Sequence, residues 1–297
     1  MARVSALTRA RALIGLVAIA AVLAGSVAWR QLPMLGAGGL LHPGRRHVGG
    51  PRPENCQDAS IDSAGVVLRG WRCGVTGVRR GTLVYLHGIA DNRTSAVGVV
   101  LRFAPRGFEV VAFDSRAHGE SGGDACTYGF FEKDNLHRII DSLQPGPIVL
   151  LGTSLGAAVA LQEAAHDPRV TAIVAVETFS DLKSVATERA PWFFPPSIIG
   201  QAFQLAERQG HFSVDAVSPV DAAGDITVPV LLLHGTEDVD TRPEHSQRVF
   251  AAVKGPKQLI LVPGARHNGS LTSDSWKAIE QWIDTVIPGL TSKLPAA

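Results

Sequence analysis

The sequence predicts an α/β protein, a mostly parallel central sheet flanked by helices with a small inserted lid. Three observations predict it. Short, near-continuous apolar runs recur along the chain, too apolar for strands with one wet face. Stretches with helical spacing alternate with them. Most runs end in loops carrying Gly, His or Asp, the punctuation of strand-to-helix connections. The bulk numbers agree: 45% hydrophobic and 19% charged residues are ordinary for a folded chain, and 297 residues allow one large core or two modest ones. A net charge of +1, with basic residues in isolated pairs such as Arg45-Arg46 and Arg79-Arg80, leaves no electrostatic footprint for nucleic acid, and no such partner is expected.

Taken in order, Ala12 to Trp29 is an 18-residue chargeless apolar run behind Arg3, Arg9 and Arg11. It has about the minimum length of a tilted bilayer span, and residues 1–30 are read as a signal anchor or a signal peptide, with Ser26-Val27-Ala28 offering a cleavage site. The arginines favour a cytoplasmic N-terminus, so the remainder is expected outside the cytoplasm, membrane-anchored or secreted. Residues 31–54, with four prolines and six glycines and no clear period, read as a linker. The folded domain is expected over residues 55–297. Gln57 to Asp62 and Val66 to Arg72 read as a hairpin turning at Ala64-Gly65, which sets Cys56 opposite Cys73 and makes a disulfide there possible, with Cys126 left over. Further strands are expected at Thr82 to Leu86, Glu109 to Phe113, Ile148 to Leu151, Val170 to Ala175, Val228 to Leu233 and Gln258 to Val262. Helices are expected at Phe130 to Leu143, Ser154 to Ala165, Pro243 to Val253 and Ser273 to Val286. About 50 residues separate Val176 from Val228, too many for one crossover helix, which places the lid at about residues 181–222. Its Trp192, Phe193 and Phe194 fit either a packed core under the lid or an apolar pocket lining.

Right-handed crossovers carry the strand ends to one edge, where loops collect. There Gly152-Thr153-Ser154-Leu155-Gly156 joins a strand to an Ala-rich helix. A serine at the apex of such a turn has an exposed hydroxyl, and the flanking glycines allow close approach of strand and helix. The bare motif also fits a helix N-cap serine. A serine hydroxyl needs a base that works near neutrality and an orienting carboxylate behind it. The chain order of Ser154, an acid after a late strand and His267 after the last strand is that of a nucleophile elbow with its partners.

These segments resemble the α/β-hydrolase superfamily, and more narrowly its serine-aminopeptidase-like, monoglyceride-lipase-like branch. The resemblance runs from about Asn55 to Ile287 and is carried by His87-Gly88, by Phe113-Asp114-Ser115-Arg116-Ala117-His118-Gly119-Glu120-Ser121, by the elbow, by His234-Gly235-Thr236-Glu237-Asp238 and by Gly264-Ala265-Arg266-His267. It implies Ser154 as nucleophile, His267 as general base and acid, and Asp238 as the acidic member, with Glu237 and Asp240 as neighbouring alternatives. The backbone N–H groups of Leu155 and Ile89 are the expected oxyanion donors. His87, His118 and His234 are expected to brace turns, and Asp114 and Arg116 to organise their loop. Thr153 stands where histidine is frequent in this branch, and Ser115 and Ala117 where glycines are. No metal or organic cofactor is implied, and no H-x-H or H-E-x-x-H spacing occurs. The function so implied is a serine hydrolase acting on a small-molecule ester or acyl substrate, with lipid-derived acyl esters and thioesters included. An amidase or aminopeptidase using the same triad is the alternative, with Glu120 or Glu132 as anchor for a free amine. A non-catalytic binding scaffold is the remaining one.

Overall fold

The computed structural model describes residues 2–75 and 77–288, the side chains of residues 2–12, 15, 18, 21–24 and 28 excepted. Helix α1 (Ala2–Leu41) leads to strands β1 (Cys56–Ser63) and β2 (Val66–Cys73). These form the expected hairpin, turning at Ala64 and Gly65, which both have positive φ, 52° and 81°. Cys56 pairs with Cys73 in the register and is joined to it by a disulfide, and Cys126 is a free, buried thiol. There follow β3 (Gly81–Leu86), α2 (Val97–Phe103), β4 (Phe108–Phe113), α3 (Glu132–Asp141), β5 (Ile148–Thr153), α4 (Leu155–Ala164) and β6 (Val170–Val176). The inserted segment carries α5 (Leu182–Glu188), α6 (Pro196–Gly210) and α7 (Pro219–Ala223); the chain then returns through β7 (Val230–Gly235), α8 (Pro243–Ala252), β8 (Lys257–Val262) and α9 (Ser273–Val286).

The sheet order is β1-β2-β4-β3-β5-β6-β7-β8. From β4 to β8 neighbouring strands are parallel, and β1 and β2 are attached antiparallel at one side. The chain moves outward from β3 to β4 and then returns to the other side of β3 for β5. At such a reversal the two loops leave the strand ends in opposite directions and a crevice opens between them. The loops after β3 and β5 border that crevice.

Successive residues of a strand face opposite sides of a sheet. Val84, Leu150 and Ile173 meet Leu136 of α3, Leu161 of α4 and Val249 of α8 on one face. Leu83, Leu151 and Val174 meet Phe103 of α2 and Ile279 and Ile283 of α9 on the other. Both faces are covered, which is why the strand sequences are apolar throughout rather than alternating. Each such side chain contributes about 1.5–3 kcal/mol on burial.

The N-terminal region differs from expectation. Residues 31–41, assigned to a linker, are the last turns of α1, and Ala37 and Leu41 are buried in the main core. Beyond the helix the chain is still bonded to the domain: Cys126 N–H donates to Leu41 O at 2.8 Å, an Arg45 guanidinium N–H to Ser121 O at 2.9 Å, and the Asn92 amide to Arg46 O at 3.1 Å. One of the glycines that read as chain breakers serves close packing instead, since a Cβ at Gly36 would lie 2.9 Å from that of Ala202 on α6. Among the described residues no helix is long and apolar enough to cross a membrane. The run on which membrane insertion was expected, Ala12 to Trp29, lies partly outside the described side chains, and so do Arg3, Arg9 and Arg11.

Candidate active site

Ser154 occupies the turn between β5 and α4 with φ of 50° and ψ of −111°, a conformation that costs a non-glycine residue about 1–3 kcal/mol. Its neighbours show why glycine is needed on both sides. A Cβ at Gly152 would fall 2.3 Å from the carbonyl carbon of Gly156, and one at Gly156 would fall 2.1 Å from Leu86 O. Any side chain there would push α4 away from β3 and β5. Ser154 N–H donates to Val176 O at 2.8 Å, which ties the turn to β6.

The structure brings the three sequence-predicted polar groups together. His267 Nδ1 lies 2.6 Å from Asp238 Oδ2, and His267 Nε2 lies 3.0 Å from Ser154 Oγ. A carboxylate can only accept, so Nδ1 carries the proton and Nε2 presents its lone pair to the Ser154 hydroxyl, which donates. Ser154 and Asp238 are buried to within a few per cent, and the imidazole is slightly open to solvent. Glu237 and Asp240, the alternative acids, are both exposed. Asp238 is held by its own loop, its Oδ1 accepting from Thr241 N–H at 2.8 Å and Asp240 N–H at 3.0 Å. Burial works against its charge, but hydrogen bonds from His234, His267 and Thr241 together outweigh this and hold the carboxyl below the usual carboxylate range.

The other histidines are engaged elsewhere. His87 Nδ1 donates to Gly88 O at 2.7 Å and Nε2 accepts from Ser115 N–H at 2.9 Å, so both nitrogens are used and the ring is neutral. Burial, with His118 close by, pushes its pKa down to about 4. His118 Nδ1 donates to Arg116 O, and His234 bridges Ser246 Oγ and Thr241 O while its Nε2 lies 3.3 Å from Asp238 Oδ2. Asp114 is paired with Arg93 rather than with Arg116, whose guanidinium lies over the Phe131 ring. Arg93 also binds Glu120, and Glu132 accepts from Thr127 and Gly129 N–H at 2.7 Å, and neither of these two carboxylates, the expected amine anchors, borders the cavity that contains Ser154.

One functional group was missed from the sequence. Glu177 follows β6 directly, is buried, and has φ of 55°. Its carboxylate accepts from Asn268 N–H at 2.6 Å and Ser270 N–H at 3.0 Å, and one oxygen stands 3.7 Å from His267 Nδ1. It therefore clasps the loop that carries the imidazole. The available signal was its place, an acid at a strand end on the same edge as Ser154.

Leu155 opens α4, so its N–H has no intrahelical acceptor. Among the described residues Ile89 N–H has no acceptor either, in the loop after β3 on the other side of the crevice. A cavity of about 420 Å³ contains Ser154 and His267 and is bordered by Ile89, Glu188, Arg189 and Asp240. Such an arrangement can deprotonate a hydroxyl and offer two amides to an oxygen bonded nearby. Among the described residues two clusters hold three metal-type ligands, Glu177 with Asp238 and His267, and His137 with Glu163 and Asp167. In the first, both nitrogens of His267 are already hydrogen-bonded. In the second, Arg169 binds Asp167 at 2.6 Å.

A family model described as alpha/beta hydrolase fold matches residues 81–218. The chain is 28% identical over 218 residues to the uncharacterized protein YqkD of Bacillus subtilis, covering 69% of this chain and 72% of that one. It is 27% identical over 256 residues to the uncharacterized protein YfhR of Escherichia coli, covering 81% and 84%. In three dimensions it is similar to the esterase Pf2001 of Pyrococcus furiosus, with a TM-score of 0.66 at 23% identity over 82% of this chain and 98% of the esterase. The switch point between β3 and β5, the turn that follows β5 and these likenesses agree, and the chain has the alpha/beta-hydrolase fold.

Proposed function

We propose that this hydrolase cleaves carboxylic esters through an acyl-enzyme on Ser154. The observation that carries the reading is the unbroken relay from Ser154 Oγ through His267 to Asp238, at 3.0 Å and 2.6 Å. As Ser154 Oγ attacks the ester carbonyl, His267 Nε2 takes its proton. The carbonyl oxygen becomes an oxyanion, held by Leu155 and Ile89 N–H, donors that stabilise it more than the ground state. His267 then protonates the departing alkoxide, leaving the acyl group on Ser154. A water molecule gives a proton to the same nitrogen, attacks the acyl carbon and restores the serine. Asp238, ionised and buried, keeps the imidazole in the working tautomer and stabilises its positive charge. The esterase Pf2001 supports an ester substrate by its fold.

The proposed location is outside the cytoplasm, anchored or released through the N-terminal segment. The arginine-flanked apolar run supports it, and so does the Cys56–Cys73 disulfide, a bond that persists in oxidising compartments.

Fluorophosphonate labelling of wild type and Ser154→Ala tests the reading. Label is expected on wild type alone, and Ser154→Ala is expected to lower kcat by about 10,000-fold or more. Equal labelling of both proteins overturns the nucleophile. A panel of p-nitrophenyl esters and aminoacyl anilides tests the substrate class, and faster anilide cleavage replaces the esterase by an amidase.

A further inference from the structure

A second cavity, of about 550 Å³, lies beyond the one that contains Ser154. Ile89 and Arg189 border both, so the two spaces meet at the residue whose N–H is assigned to the oxyanion. One wall of this chamber is the end of α1, from Leu32 to Leu40, and the facing walls are α5 and α6 with Phe194 between them. The two polar side chains in the lining, Arg189 and Tyr128, are both hydrogen-bonded within the protein. Arg189 Nε donates to Asp240 O at 2.6 Å and Nη2 to Thr241 Oγ1 at 2.5 Å, and Tyr128 OH donates to Leu40 O at 3.1 Å. Past Arg189, at the end shared with the Ser154 cavity, the lining has no charged side chain, so a charged ligand would lose water and find no new partner there, whereas an alkyl chain loses nothing.

The α1 wall is built into the domain. Gly36 lets the helix reach α6, where a Cβ would come within 3.2 Å of Phe194 Cε2 as well as crowding Ala202. Gly39 is different: it borders the chamber, and a Cβ there would meet nothing within 4 Å. A close-packing glycine and a space-leaving glycine thus stand on adjacent turns of one helix.

We infer that this chamber holds the acyl chain of the substrate, that the end of α1 is its specificity wall, and that the substrate is an ester with a long alkyl tail. The inference rests on the serine-hydrolase reading of Ser154, because the tail is placed by the carbonyl that Ser154 attacks. The carbonyl sits between Leu155 and Ile89 N–H, and the tail passes the Ile89 side chain into the space between α1 and α6.

The test uses the full chain with p-nitrophenyl butyrate, octanoate, laurate and palmitate. In wild type kcat/KM is expected to climb by roughly fourfold per added CH2 group until the chamber is filled. Gly39→Phe, whose ring grows into the open space, is expected to lower the palmitate-to-butyrate ratio of kcat/KM by about tenfold or more, the worth of two CH2 groups. Ala186→Phe repeats the measurement from α5, in case the α1 variant folds poorly. Binding of a fluorescent long-chain fatty acid to Ser154→Ala, with and without Gly39→Phe, reads the chamber without turnover. Unchanged ratios in both variants together with unchanged fatty-acid binding overturn the chamber while leaving the hydrolase reading intact. Binding that Gly39→Phe abolishes, in a wild type that takes no fluorophosphonate, keeps the alkyl site and overturns the hydrolase reading.

Discussion

The crevice at the strand ends and the chamber behind it are built in opposite ways. In the crevice Ser154, Asp238 and Glu177 are buried, His267 is nearly so, and all four are hydrogen-bonded and delivered by the ends of different parallel strands. In the chamber the walls are apolar helices from the N-terminal segment and from the insertion after β6, and shape takes the place of hydrogen bonds. The contrast follows from what each part must do. Proton transfer needs atoms fixed to a few tenths of an ångström, which a rigid sheet edge supplies. Accommodating a tail needs only volume and dryness, which side chains of many kinds supply.

Changes in the crevice should therefore act on kcat, and the largest after Ser154→Ala is Asp238→Asn. It is expected to lower kcat by about 1,000- to 10,000-fold, because the amide no longer fixes the imidazole tautomer. Steady-state kinetics on a butyrate ester checks it, and a loss below tenfold would show that Glu177 carries the acid's role. Glu177→Gln leaves one N–H of the His267 loop without a carboxylate acceptor, and kcat is expected to fall by about tenfold with KM little changed. An equal loss in a thermal-melt-matched control such as an exposed Leu101→Ala variant would reduce Glu177 to a structural part. The smallest effect concerns stability. His87 has a folded pKa of about 4 against an ordinary 6.5, so between those values the unfolded chain takes up a proton that the folded chain refuses. Stability is expected to fall as pH drops through that window, by about 2–3 kcal/mol. Urea unfolding of wild type and His87→Gln at the two ends of the window measures the difference, since glutamine offers a donor and an acceptor without titrating.

The strands were legible because burial on both faces leaves a continuous apolar signature, and the bounds of β1, β2 and β6 lie within a residue or so of those expected. The elbow was legible because two backbone collisions, at Gly152 and Gly156, force a short local pattern. Glu177 was not, since a single carboxylate after a strand has no spacing to mark it. Of the chamber only the part from the lid was legible, Phe193 and Phe194, since the rest of the lining is drawn from residues as distant as Leu32 and Phe203. The end of α1 read as a linker because Pro33, Gly36, Gly38 and Gly39 have poor helix propensity, and packing against α6 overrides that preference. Trp192, weighed as core or pocket lining, is 94% exposed and is neither, while its neighbour Phe194 borders the chamber.

Ile89 borders both cavities, and the proposal gives its amide one task and its side chain another. In the proposed reaction the N–H steadies the charge that appears on the carbonyl oxygen, while the butyl group a few bonds away touches whatever fills the dry space behind. The head and the tail of the proposed substrate therefore meet the protein at one residue, which borders both spaces. A change at this one position would thus touch both the reacting end and the fit of the tail.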